Sequence, residues 1–215
     1  MTRGRRRLIT GATVAAGTAV LLHFLPLFHV VPLDVARQRT AEAAFAPAAF
    51  VERFWTEGLI PGTGGAVDAA ELIAAVQQDR QAARRTHGRR VGLGDVYYYY
   101  VAGIGRVVSV DRNSVGLALR DDQPQVQVLL EAGPIFGNAV RDGTGLLDVN
   151  DFANSQDFNA LSAEINRRIE QHVLPNLRRM ATIGARVGFV GCAEIMDEDT
   201  DLNPLRIVPF LVEEP

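Results

Sequence analysis

The pattern of hydrophobic and polar positions begins with a long apolar run near the amino terminus. Residues 8–31 include no formally charged side chain, and four arginines precede them at positions 3, 5, 6 and 7. A helix of about 20 apolar residues spans a bilayer, and flanking arginines favour the cytoplasmic side. The pattern predicts a transmembrane anchor in residues 1–31. It would be single-pass in the cell inner (cytoplasmic) membrane, with the C-terminal domain in the periplasm or outside the cell.

A cleaved signal peptide is the alternative interpretation of this leader, because a basic start followed by an apolar stretch is typical of both. The run of 24 residues at 8–31 is longer than the roughly 7–15 residues of a signal-peptide core. The adjacent arginines are also compatible with a twin-arginine export signal. We therefore favour an uncleaved anchor and keep the two export signals as alternatives.

Helical patterns dominate the next segment, residues 32–92. A short helix is expected near Pro47, with Phe50, Phe54 and Trp55 on one side. Residues 66–85 have apolar side chains at helical spacing and predict a second helix. The apolar positions are Ala69, Leu72, Ile73 and Val76, and the basic cluster that follows is Arg84, Arg85, Arg89 and Arg90. This cluster is interpreted as a solvated helix end that complements the helix dipole, or as a contact for anionic lipid headgroups or an acidic partner.

Strand patterns dominate residues 93–215. Strands are expected at 97–111, 115–120 and 125–132, then a helix at 154–174 ended by Pro175, then strands at 185–196 and 205–212. This order predicts an α+β fold containing an OB-like five-stranded β-barrel with a helix between strands three and four. The small helical segment and the transmembrane helix would precede the barrel. An open α+β sheet with one covering helix has the same element order and is the alternative.

Composition and charge restrict the function classes. All 22 basic side chains are arginine, against 25 acidic ones; the four leader arginines leave 18 in residues 32–215, which carry a formal charge of -7. Such an acidic body argues against binding nucleic acid, whose affinity depends on neutralising phosphates. The single cysteine, Cys192, excludes an intramolecular disulfide and a cysteine-based zinc cluster. No cofactor, metal site or catalytic set is predicted, since the four histidines are dispersed.

The glycine-rich segment 133–156 holds the densest group of polar side chains. Its glycines allow a close approach to a ligand, and an arginine there could bind a carboxylate, a phosphate or a sugar hydroxyl. The predicted ligand-binding residues are Arg141, Asp142, Asn150, Asp151, Asn154 and Gln156. The alternative is structural: Arg141 and Asp142 pair with each other to hold the loop, while Asp151 or Asn154 caps the following helix.

Three further features have mainly structural interpretations. Residues 197–203 have oxygens at the spacing of a calcium loop but lack its glycine and its final glutamate, so they predict a solvated hairpin. Tyr97 and its three tyrosine neighbours alternate in direction along a strand, so two should pack in the core or under the helix. Cys192 lies in an apolar strand and should be buried.

Several short motifs resemble a known family. They are the stretches 133–142, 150–156, 161–166, 184–191 and 207–209, with 51–55 and 66–68 nearer the leader. In this order they are similar to the bacterial family of predicted periplasmic lipoproteins of unknown function, over most of residues 45–213. The resemblance implies no established activity, and it implies an association with sugar-type ABC transport systems. The chain departs from a lipoprotein in having no cysteine just after the leader.

Two functional hypotheses follow. The first is a membrane-anchored extracytoplasmic binding or transporter-accessory module, with residues 133–151 as its contact surface. The alternative is an extracytoplasmic hydrolase or transferase that uses Asp142, Asp148 or Asp151 as acid and base. Paired carboxylates need environments that separate their pKa values, so the first hypothesis is preferred. The sequence predicts no oligomeric state.

Overall fold

The computed structural model describes residues 45–92 and 94–215. The predicted anchor in residues 1–31 lies outside this part of the chain. Residues Ala46–Pro215 form one compact unit, within which the boundary expected between residues 92 and 93 stays a prediction. In the described ranges, no helix has the length and apolar character needed to cross a membrane.

The amino-terminal part of the unit is helical, as expected. Helix α1 (Pro47–Phe54) has its proline in the first turn and continues into a π-helical turn, Trp55–Leu59, and a 3-10 turn, Pro61–Gly65. The short strand β1 (Val67–Asp68) leads into α2 (Ala69–Gln78), and α3 (Arg80–His87) follows.

The single helix predicted at 66–85 is wrong, because Asp79 divides it. Asp79 has an extended backbone (φ -156°, ψ 101°), and its side chain accepts hydrogen bonds from the amides of Gln81 and Ala82. An aspartate that bonds these amides caps a new helix instead of continuing the old one.

Six further strands complete the sheet. They are β2 (Gly88–Arg90), β3 (Tyr97–Val110), β4 (Ser114–Ala118), β5 (Val128–Glu131), β6 (Arg186–Ile195) and β7 (Leu205–Glu213). Strand β3 pairs with β4, β4 with β5, β5 with β7, β7 with β6, and β6 again with β3. These five strands therefore form a closed cycle of pairs, and β1 and β2 add to β3. The α+β class is confirmed, and the third strand is shorter than expected.

The length of β3 makes this cycle possible. Its first part pairs with β6 from Tyr97 to Arg106, and its end pairs with β4 from Arg106 to Val110. At Gly105, an added Cβ would lie 2.8 Å from the Cβ of Leu117. Only glycine permits so close an approach where the strand changes partner.

Four helices lie in the second half of the chain. They are α4 (Ala139–Gly143), α5 (Ser155–Arg168), α6 (Leu174–Met180) and α7 (Glu198–Asp201). A π-helical turn, Ile169–Val173, joins α5 to α6. The prediction that Pro175 ends the helix is wrong. Pro175 lies in the first turn of α6, where the missing amide hydrogen has no cost.

The core lies between these helices and the sheet. Tyr97, Tyr98 and Tyr99 are all buried, which is one more than the alternation predicted. Tyr100 is half-buried and donates a hydrogen bond from its hydroxyl to the carbonyl of Gly62 (3.0 Å). Cys192 is buried as predicted, and burial raises the pKa of its thiol well above the ordinary value.

Candidate functional site

Arg141 and Asp142 form a buried ion pair in α4. The Arg141 Nε donates to Asp142 Oδ1 (2.7 Å) and an Nη donates to Oδ2 (2.9 Å), while the two residues are 6% and 5% exposed. Helix α4 packs closely on β6, since an added Cβ at Gly143 would lie 2.8 Å from the Cβ of Cys192. The pair therefore has the structural arrangement that the sequence left as an alternative.

Arg141 also connects α4 to α5. Its other Nη donates to Asn159 Oδ1 (3.1 Å) and to the carbonyl oxygen of Phe158 (3.4 Å), and its guanidinium lies 4.1 Å from the centre of the Phe158 ring. A guanidinium with a carboxylate, an amide and an aromatic face around it is strongly fixed. Arg141 thus positions Asn159 on the first half of α5.

The loop before α4 is fixed by three more hydrogen bonds, two to α5 and one to the π-helical turn that follows it. Ser162 Oγ donates to Asn138 Oδ1 (2.7 Å), Asn166 Nδ2 donates to the carbonyl of Gly137 (3.0 Å), and the amide of Ile135 donates to Glu170 Oε1 (2.7 Å). Gly137 has a positive φ of 80°, a conformation that glycine adopts at little cost.

Glu194 of β6 lies beside this loop. It is the cross-strand partner of Tyr98, whose hydroxyl donates to Glu194 Oε1 (3.3 Å). Burial raises the pKa of Glu194, and the nearby negative charge of Asp142 acts in the same direction, whereas bonds from Tyr98 and the Asn138 backbone oppose it. Burial also raises the pKa of Tyr98 above its ordinary range. Hence this interior favours neutral groups apart from the Arg141–Asp142 pair.

A groove of about 450 Å³ lies between the loop and α5. Phe136 on its border is 82% exposed, although it is a large apolar residue. Its polar lining includes Asn138, Asn159, Ser162, Asn166, Arg167 and Glu170. We call it the aromatic groove. It combines an exposed ring with side-chain amides that contacts within the protein hold in place.

The four other predicted ligand-binding residues are exposed. Asp148 Oδ1 accepts hydrogen bonds from the backbone and side-chain amides of Asn150 (2.9 and 2.8 Å). Asn154 Oδ1 accepts from the amide of Asp157 (2.8 Å) and so caps α5. Within the described residues, no hydrogen bond connects Asn150, Asp151, Asn154 or Gln156 to the Arg141–Asp142 pair, so the six do not converge on one point.

Sequence reasoning missed most of the groove residues. Asn159, Ser162 and Asn166 recur at intervals of three and four, which places them on one face of α5. A polar stripe next to the apolar one was therefore a usable signal. Phe136 lies within the contact surface predicted at 133–151, but its exposure was not foreseen, and Glu194 on β6 had no such signal.

The acidic stretch 197–203 joins the antiparallel strands β6 and β7, as in the predicted hairpin, and contains the short helix α7. Asp197 Oδ1 accepts from the amide of Asp199 (2.9 Å), and Asp201 Oδ2 accepts from the amides of Met196 and Asp197 (2.9 Å each). These carboxylates are used for capping. In the part of the chain that the structure describes, no group of three histidine, cysteine or acidic residues is placed to hold a metal ion.

The fold defines a mixed α+β domain whose neighbour among solved structures is an OB fold. The crystal structure of an OB-fold protein from Thermotoga maritima, at 1.90 Å resolution, is similar with a TM-score of 0.70 and 21% identity. The similarity covers 80% of this chain and 99% of that chain, and it concerns the fold alone.

A family model described as "Predicted periplasmic lipoprotein (DUF2291)" matches residues 18–213. The chain therefore belongs to this family, and the resemblance seen in the sequence is confirmed. A comparison with curated proteins finds no match.

Proposed function

We propose that the chain is a membrane-anchored extracytoplasmic binding module and that the aromatic groove is its binding surface. Its ligand class is a neutral, hydroxyl-rich solute such as a sugar. Membership of a periplasmic family supports the extracytoplasmic location. The closed cycle of strand pairs supports a five-stranded barrel as the scaffold that carries the groove.

The observation that carries this proposal is that the exposed ring of Phe136 and the fixed amides line one groove. Binding sites for small molecules combine an apolar surface with a few well-placed polar groups. The flat ring offers an apolar face to the C–H groups of a sugar, and the amides of the groove both donate and accept hydrogen bonds.

Three asparagines have side-chain amide atoms that are available to a ligand. Asn138 and Asn159 each use the side-chain oxygen within the protein, and Asn166 uses the side-chain nitrogen. Within the described residues, the opposite atom of each amide has no hydrogen-bond partner. The groove thus offers two donor groups and one acceptor, and the protein has already restricted the rotation of each amide.

The anchor is proposed to be the leader instead of a lipid. Lipidation requires a reactive cysteine, and the one cysteine of the sequence, Cys192, is buried in β6. The apolar run at 8–31 and its preceding arginines support a helical anchor. Mass spectrometry of the native amino terminus tests this, and a mature chain that begins after residue 31 would contradict it.

We further propose that the module serves a sugar-type ABC transport system. The test is affinity purification of the native protein from detergent-solubilised membranes. Transporter subunits should be recovered with it, and repeated recovery without any of them would count against this partner.

Sugar binding is tested by calorimetric titration of the full chain in detergent with a panel of neutral mono- and oligosaccharides. At least one should bind, and Phe136→Ala should weaken it by about 10-fold, or about 1.4 kcal/mol. Ile183→Ala is the matched control, because Ile183 is also a large apolar residue that is 62% exposed. The proposal fails if no sugar binds, or if both variants bind as the wild type does.

A further inference from the structure

A second groove, of about 530 Å³, lies between α2, the segment joining β4 to β5, and the start of β7. Its floor is aliphatic: Leu72 is fully buried, Leu202 and Leu205 are nearly so, and Val76 and Val126 form its walls. We call it the glutamine groove, for the residues on its rim.

The rim of the glutamine groove consists mostly of carboxamides. The rim residues are Gln77, Gln78, Gln123, Gln125 and Asn203. Within the described chain, none of these five side chains makes a hydrogen bond, whereas Gln127 accepts one from the amide of Leu119 (2.9 Å). Five exposed amides offer both donors and acceptors without charge.

The groove is also electrically neutral. Among the described residues, Arg80 is the one charged residue of its lining, and the Arg80 Nη1 pairs with Asp199 Oδ1 at 2.8 Å. An anionic ligand would therefore find no unpaired cation in the lining, and a cationic ligand would find no carboxylate there. The charge distribution fits a neutral ligand.

The main chain along one side of the groove adds a further recognition element. In the described part of the protein, the backbone groups of Gln125 and Val126 make no hydrogen bond, although the next residue, Gln127, donates to the carbonyl of Leu117 (2.9 Å) and accepts from the amide of Leu205 (3.0 Å). Unpaired backbone beside a strand can bind an extended peptide by adding hydrogen bonds of the sheet type.

We propose that the glutamine groove binds a short, neutral peptide in an extended conformation. An aliphatic side chain of the peptide lies on the floor formed by Leu72 and Leu205. Its backbone bonds to Gln125, Val126 and the rim amides. A sugar fits less well, because none of the described residues that line this groove is aromatic. The inference does not depend on the function of the aromatic groove.

The test is calorimetric titration of the full chain in detergent with blocked tripeptides of the form Ala-Xaa-Ala. The peptide with leucine at the centre should bind, and the one with glutamate there should bind at least about 10-fold more weakly. The double variant Gln77→Ala/Gln125→Ala should weaken the leucine peptide by about 10-fold or more. Gln81→Ala is the matched control, since Gln81 lies on the adjacent helix α3 outside the groove.

Circular dichroism melting first establishes that all variants are folded. The proposal is overturned if the leucine peptide fails to bind the folded wild type, if Gln81→Ala weakens binding as much as the double variant, or if a sugar competes with the peptide. Phe136→Ala should leave peptide binding unchanged. If the wild type binds the peptide but no sugar, the proposed function is contradicted and this inference is not.

Discussion

The two grooves are built on opposite kinds of support. Beneath the aromatic groove, a buried ion pair and a chain of side-chain hydrogen bonds fix the polar groups that face a ligand. In the glutamine groove, the floor is aliphatic, and within the described residues the five rim side chains make no hydrogen bond. Fixed polar groups favour a ligand with a defined pattern of hydroxyls. An apolar floor with exposed amides that the protein does not bond tolerates variation and selects mainly for shape and neutrality.

The two supports should also fail differently when a residue is removed. Removing one partner of a buried pair leaves an uncompensated charge, whereas truncating an apolar side chain leaves a cavity. Substitutions of the residues beneath each groove therefore test whether one groove is supported by charge and the other by apolar packing.

The largest effect is expected for Arg141→Met. Asp142 would keep a buried carboxylate without its cation, which costs about 3–5 kcal/mol of unfolding free energy. Urea unfolding monitored by circular dichroism gives this value. Arg141→Met/Asp142→Leu should recover most of the loss, because both charges are then absent. A double variant as unstable as the single one would show that packing, and not charge, maintains the pair.

A somewhat smaller loss is expected for Leu72→Ala beneath the glutamine groove. Leu72 is fully buried, and such a truncation costs about 2–4 kcal/mol through lost burial and a cavity. Ile73→Ala on the same helix is the control, since Ile73 is only half-buried. Equal losses measured by urea unfolding would mean that the floor is not part of the core.

The sequence predicted one of these supports better than the other. The apolar positions of α2, including Leu72 and Val76, follow from helical spacing, and so the side of the glutamine groove that α2 forms could be predicted. The rim could not be predicted, because Gln77 on α2 and Gln125 between β4 and β5 line the same groove although they are far apart in the chain. Long-range pairing of this kind leaves no local signal.

The residues of the aromatic groove were likewise only partly predictable from the sequence. The polar segment 133–156 drew attention to Arg141 and Asp142, and their pairing was foreseen as an alternative. Asn159, which accepts a hydrogen bond from Arg141, lies on α5, and Glu194, whose pKa the charge of Asp142 raises, lies on β6, so both are far along the chain. The division of the 66–85 helix at Asp79 was missed for a different reason, because capping by one side chain outweighed a regular apolar pattern.

The next prediction concerns the pH dependence of stability beneath the aromatic groove. Burial raises the pKa of Glu194 above its ordinary value of 4.5. A carboxyl whose pKa is raised on folding stabilises the protein below the unfolded pKa, and this contribution is lost as the pH rises through the folded value. In the wild type, Tm should therefore fall as the pH rises above about 4.5, and Glu194→Gln should remove this fall. Asp111→Asn is the control, at an exposed turn, and an unchanged slope in Glu194→Gln would contradict the assignment.

The smallest effects on stability are expected at the residues that face the ligands. Phe136 and Gln77 are exposed, and substitutions at such surface positions change the unfolding free energy by no more than about 0.5 kcal/mol. Phe136→Ala and Gln77→Ala should thus unfold like the wild type while each weakens binding in its own groove. A loss above about 1 kcal/mol for Phe136→Ala would mean that the ring packs against the protein. The exposure of Phe136 would then not indicate a binding surface. The two grooves would differ only in the residues that support them from beneath.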